Sequence, residues 1–143
     1  MLRILVAGSM LLAACGGNTA SSGAATTLTV SVVSEGTEPQ EFTLACGAPP
    51  SGTAPHLATR EDAERACATV EDPANRRRLV GGPDQDRVCT QIYGGPQVAE
   101  VRGTVRDEPV ETNFHRADGC GITDWETFEA FLGPADQPFV VEG

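Results

Sequence analysis

Five cysteines carry most of the chemistry that this chain could perform, and their surroundings divide them into one and four. Cys15 stands directly after Leu12-Ala13-Ala14, at the end of an apolar run from Ile4 to Leu12 that is preceded by Arg3. That run is far shorter than the ~20 residues a spanning helix needs, so it reads as a cleaved export signal and not as an anchor. The Leu-Ala-Ala-Cys tetrad has the form of a bacterial lipobox. Residues 1–14 are then a lipoprotein signal peptide, and Cys15 becomes the lipidated first residue of the exported chain. A thioether-linked diacylglycerol supplies two acyl chains, which is what stable anchoring takes. An ordinary secretory signal cut near Ala14 is the other reading. Either one exports the protein, to the outer face of the cell membrane or to the medium.

Cys46, Cys67, Cys89 and Cys120 remain, an even set in an oxidising compartment. Four cysteines allow three pairings, and the sequence by itself does not choose among them. A structural zinc is not expected, because there is no Cys-x-x-Cys and His56 and His115 do not fall at ligand spacing. The Asp and Glu residues are scattered and form no calcium-loop pattern. Catalysis has little to build on: Ser, His56 or His115 and an Asp could be assembled, but without a nucleophile elbow or metal motif. The chain therefore reads as a non-enzyme with no cofactor. Its most distinctive segment is Cys89-Thr90-Gln91-Ile92-Tyr93-Gly94-Gly95-Pro96, an extended stretch tied at Cys89 and restricted at its exit by Pro96.

The elements that must hold this segment can be followed along the chain. Residues 16–27 are Gly, Ala, Ser, Thr and Asn, too polar and small to order themselves, and read as a tether running from Cys15 at 15–27. The domain is expected over 28–143. Leu28, Val30 and Val32 alternate with polar residues, and Phe42, Leu44 and Cys46 repeat the pattern after a Glu35-Gly36-Thr37 turn, which predicts a hairpin. Residues 47–56, rich in Pro, Gly, Ser and Thr, are expected to be irregular. Thr59 to Asp62 reads as a helix start, with Ala63, Ala66, Cys67 and Val70 on one face and Pro73 ending it. Residues 75–87 read as a linker whose Arg76-Arg77-Arg78 run is a solvated patch.

Ala99, Val101, Gly103 and Val105 share one face of a strand, and Val110, Thr112 and Phe114 share a face on the return, with the turn placed at Asp107-Glu108-Pro109. Thr123-Asp124-Trp125-Glu126 has the form of a capping box before a second helix, with Trp125, Phe128 and Leu132 facing the core. Phe139 to Val141 reads as a short last strand. Strands and helices in this order give the α+β class, an antiparallel sheet with helices on one face.

Charge narrows the partners. The chain has 20 Asp plus Glu against 10 basic residues, all of them Arg, for a formal net charge of −10. Nucleic acid binding needs a concentrated positive surface and is not expected.

From about Leu28 to Phe139 the chain resembles the Streptomyces subtilisin inhibitor family of serine protease inhibitors. The resemblance rests on two cysteine pairs in matching order, Pro50-Ser51-Gly52-Thr53, the loop just after Cys89, Tyr93, Pro96 and the hairpin leading to Cys120. It implies a sheet of about five strands with two helices on one side, and disulfides Cys46–Cys67 and Cys89–Cys120. It also implies a reactive-site loop of Cys89, Thr90, Gln91, Ile92 and Tyr93. Gln91 would enter the primary specificity pocket of a protease, and Gln91–Ile92 would be the bond at risk.

Because Gln is neutral, it would leave the buried carboxylate of a trypsin-type pocket unpaired, so the implied partner is a subtilisin-like serine endopeptidase. The family has an asparagine two positions before the last cysteine that donates into the loop. Here that position holds Asp118, which as a carboxylate can only accept, and it is expected to support the loop through backbone amides. Gly94-Gly95 stands where the founding members have one residue. The resemblance leaves room for a homodimer, and for a non-inhibitory, lipid-anchored interaction module on the same scaffold.

Overall fold

The first ordered strand begins earlier than its apolar pattern does. In the computed structural model, which describes residues 25–135, β1 (Thr26–Val33) already contains Thr26 and Thr27 from the expected tether. Thr26 is buried because its hydroxyl works twice, donating to Glu71 Oε1 at 2.6 Å and accepting from the Arg106 amide at 2.9 Å. The expected signal peptide, Cys15, residues 15–24 of the tether and the Phe139–Val141 strand lie outside the described residues.

The strands β2 (Gln40–Cys46), β3 (Ser51–Gly52), β4 (Val98–Val105) and β5 (Glu108–His115) join β1 in one antiparallel sheet of order β3-β2-β1-β4-β5. Its register pairs Val30 with both Phe42 and Val101, and Ala99 with Phe114, so the period-two apolar residues collect on a single face. The fifth strand is β3, inside the stretch expected to be irregular, where Pro and Gly permit two residues of pairing with Leu44 and Ala45 before a 3-10 turn at Pro55–Leu57. The β4–β5 turn is Arg106-Asp107, not Asp107-Glu108-Pro109: both turn residues have positive φ, 48° and 66°. That conformation fits a two-residue hairpin connection, and it leaves Glu108 and Pro109 in β5.

Helices cover the apolar face. α1 (Arg60–Glu71) is capped by Thr59, whose hydroxyl accepts from Asp62 N, and its Ala63, Ala66, Cys67 and Val70 stripe is buried. The stripe aims Cys67 at the end of β2, where it bonds Cys46.

As expected, α1 stops at Glu71, just before Pro73, but Pro73 also opens a second helix. It is the first residue of α2 (Pro73–Gly81), whose N-cap Asp72 accepts from the Ala74 and Asn75 amides. A proline is well placed there, since the N1 amide has no helical partner to lose. Helix α2 thus occupies most of the expected linker.

Helix α3 (Gly119–Thr127) likewise starts before the expected capping box. Its N-cap is Asp118, and Thr123, inside the helix, donates back to Gly119 O. The short α4 (Glu129–Leu132) follows. Trp125, Phe128, Phe131 and Leu132 from these helices meet Leu28, Val30, Leu44, Val101 and Phe114 in the core, all at most 1% exposed. Trp125 Nε1 donates to Gly133 O at 3.1 Å, which satisfies its one donor inside the core.

The architecture is therefore α+β: five antiparallel strands, helices on one side, two disulfides. No helix among the described residues is long and apolar enough to cross a membrane.

Candidate functional site

Residues 89–96 lie in the connection from α2 to β4. Cys89 is bonded to Cys120, with 5.2 Å between their Cα atoms, and Cys120 lies in the first turn of α3. The same turn holds the neighbouring residue, because the Gly119 amide donates to the Thr90 carbonyl at 2.9 Å.

The far leg is held separately. The Gly94 amide donates to the Arg116 carbonyl at 2.7 Å, and Arg116 Nε donates back to the Gly94 carbonyl at 3.3 Å. Three residues lie between these pins. Gln91 is exposed, Ile92 is 62% exposed and Tyr93 65%, and among the described residues none of the three makes a backbone hydrogen bond within the chain. Their main-chain donors and acceptors are thus unpaired among the described residues.

Glycine is required at both pins. A Cβ on Gly119 would clash with Thr90 Oγ1, and one on Gly94 would stand 2.6 Å from Ile122 Cγ1. The side chains of Thr90 and Ile122 thus fill the space that a Cβ at these two positions would need. Gly95 adopts φ 143°, so the second glycine turns the chain toward β4.

Asp118 lies beside the disulfide, but its carboxylate accepts from Gly121 N at 2.8 Å as the helix cap and not from a loop amide. The donor into the loop is the next residue's amide, Gly119 N. Cys89, Asp118 and Cys120 bring ligand-type atoms within 4.8 Å of one another, yet both sulfurs are spent in the disulfide and neither is a thiolate that a metal could take.

Behind the loop is an ionic cluster that sequence reasoning missed. Asp124 is buried and accepts from Arg87 Nη1 and Nη2 at 2.8 and 3.0 Å and from Arg78 Nε at 2.9 Å. Arg78 also donates to Thr112 Oγ1 and to Asn113 O, both at 2.9 Å, and its guanidinium lies 4.4 Å from the centre of the Phe114 ring. The arginine run is therefore not a solvated patch. Arg78 is turned inward, Arg76 pairs with Glu108 at 3.3 Å, and of the three only Arg77 is exposed.

Burial by itself would push the Asp124 carboxyl up, but its hydrogen bonds to Arg87 and Arg78 outweigh that and hold it below the usual carboxylate range. The bond to Asp124 raises Arg87 in turn. The one signal in the sequence was an Arg two residues before a half-cystine, which does not name its partner 37 residues away.

His115 is half-buried, and its Nδ1 accepts from the Ala117 amide at 3.1 Å. His56 bonds the Phe131 carbonyl through Nε2 at 2.9 Å and packs edge-on against Phe42. The two histidines lie on different elements, and among the described residues neither hydrogen-bonds a serine.

No family model matches the chain, and no curated protein matches it. Among solved structures it is similar to Streptomyces caespitosus sermetstatin, in a complex with Bacillus licheniformis subtilisin, at 20% identity and a TM-score of 0.42 over 73% of this chain and 96% of that one.

Proposed function

We propose that the chain inhibits a serine endopeptidase of the subtilisin-like, broad-specificity kind by presenting residues 89–93 as a substrate strand with Gln91 in the primary specificity pocket. The observation that carries this is the pinned arch. Three exposed residues with unpaired main-chain groups are held on one side by Cys89–Cys120 and Gly119 N to Thr90 O, and on the other by the Gly94–Arg116 pair.

A protease binds substrate by adding it as a strand to its cleft, so main-chain hydrogen bonds give affinity and side chains give specificity. An arch already held near that shape loses little freedom on docking. If the protease serine attacks the Gln91 carbonyl, its Oγ forms an ester and the Gln91–Ile92 bond breaks, the proton passing to the Ile92 amine. The pins at Gly94 keep that amine beside the ester, so its return attack, which restores the peptide and frees the serine, competes with water.

Titration of a subtilisin-like endopeptidase with the full, oxidised chain tests the reading. Stoichiometric loss of activity with slow cleavage confined to Gln91–Ile92 is expected. Rapid degradation, or no effect at equimolar chain, refutes it and leaves the non-inhibitory module. We further propose that Cys15 carries the lipid that holds this domain at the outer face of the membrane; labelling of the expressed chain with a palmitate analogue, lost in Cys15→Ser, is the expected result. Pairing into a homodimer is part of the same proposal, and sedimentation of the full chain across concentration tests it.

A further inference from the structure

The segment that leads into the loop has almost nothing holding it. Among the described residues, no backbone hydrogen bond joins residues 82–88 to the rest of the domain, and Val88 is 99% exposed. The side-chain bonds of Gln85 and the amide of Asp86 close only on Pro83 and Asp84 within the segment itself. The exception is Arg87, which reaches out with both terminal nitrogens to both oxygens of Asp124.

A disulfide fixes a point but not a direction, since the chain can swing about the Cys89 side-chain torsions. A second fixed point two residues upstream removes that swing. The planar fork of arginine on a carboxylate sets orientation as well as distance.

Resting on the inhibitory reading above, we propose that Arg87 and Asp124 act as a clamp that sets the angle at which the chain enters the reactive loop. Arg87 is then a positioning residue for the Gln91–Ile92 bond. Asp124 suits the task because it cannot move away. It sits in the middle of α3, which also supplies the Gly119 amide and Cys120, and its Oδ2 is shared with Arg78, itself anchored to β5 through Thr112 and Asn113. The lead-in, both acyl-side pins and the sheet are thereby referred to one helix. With the clamp open, the acyl-enzyme would hold Gln91 less well aligned with the Ile92 amine, and water would win more often.

The test uses full-length Arg87→Ala and Arg87→Lys. The Arg87 side chain is 33% exposed, so its loss leaves the core intact. Cleavage at Gln91–Ile92 by a subtilisin-like endopeptidase is followed by mass spectrometry, with melting temperature in parallel. Arg87→Ala should be cut about tenfold faster than the unmodified chain, the factor that one bidentate charge-assisted pair at a partly exposed site can supply. Arg87→Lys, a point charge without the fork, should recover only part of the loss.

A cleavage rate within twofold of the unmodified chain overturns the proposal, whether or not the melting temperature falls. A fall in melting temperature alone would make the pair a plain stabilising contact. If the unmodified chain is itself cut rapidly, the inhibitory reading fails and hydrogen exchange of the Gly119 amide becomes the readout. Faster exchange in Arg87→Ala then supports the clamp, and equal exchange overturns it.

Discussion

The two disulfides close loops of similar length, 21 and 31 positions, yet only one of them touches the arch, and this permits a controlled comparison. On the chain-entropy account, removing Cys46–Cys67 costs about 3.3 kcal/mol and removing Cys89–Cys120 about 3.7 kcal/mol at 25 °C. For a domain of this size each loss is a drop of roughly 10–20 °C in melting temperature, and the two drops should agree within a few degrees. Their effects on the loop should diverge.

In Cys46→Ser/Cys67→Ser the acyl-side pins remain, and cleavage at Gln91–Ile92 below the melting transition should stay within about twofold of the unmodified chain. In Cys89→Ser/Cys120→Ser one covalent pin is lost. A single hydrogen bond, worth about 1 kcal/mol net, is then the nearest restraint on Thr90, and cleavage should rise by at least about tenfold. The assay is thermal denaturation by circular dichroism, paired with timed digestion and mass analysis at a temperature where both variants are folded. Equal acceleration in both variants would mean that digestion follows global unfolding. The argument that the bridge at position 89 preorganises the arch would then be refuted.

Gly119→Ala should destabilise by about 1–3 kcal/mol, the usual range for overpacking, and the penalty should largely vanish in a Thr90→Ala background, because the clashing atom is Thr90 Oγ1; a double-mutant cycle by urea denaturation measures this. Gln91→Lys should shift inhibition by about 100-fold or more toward a protease whose specificity pocket ends in a carboxylate, read from inhibition constants against the two protease types. His56 gives a pH signature. Burial lowers its affinity for a proton, offset in part by the Phe131 carbonyl and by Asp62. Below its ordinary pKa near 6.5 the unfolded chain therefore binds more protons than the folded one. The stability from neutral His56 is full above that value and is lost as pH falls below it. Melting temperature should decline between pH 7 and pH 5, and less steeply in His56→Gln.

The four long strands and α1 were legible because a buried face imposes a period that side chains must obey, as Leu28, Val30 and Val32 or Ala63, Ala66 and Val70 show. Boundaries were harder where one residue type has two meanings. Pro73 both stops α1 and starts α2, and the second role rests on the Asp72 cap bonds. Gly119-Cys120-Gly121 looks like a helix breaker, yet those glycines are there because Thr90 and the His115 ring leave no room for a Cβ. The turn at Arg106-Asp107 was obscured for a related reason, since an arginine with positive φ has no local signature.

Within the candidate site, the exposed residues were readable from the position of Cys89, whereas their supports were not. Arg87 and Asp124 look like solvated charges until the fold pairs them, and so does Arg116 until it meets the Gly94 carbonyl. The pairing of buried charges depends on tertiary distance, and no sequence period reports it.

The sheet's outer rows also govern how this protein behaves in company. One ends in a two-residue strand at Ser51–Gly52, and the other carries Pro109, which has no N–H to offer, with Glu108 and Glu111 beside it. Short edges, proline and charge are the features that discourage one sheet from annealing to the next. The borders of the sheet are thus kept from the kind of strand addition that the proposed function asks of the arch. Crowding many copies together should yield a dispersed population and not fibres.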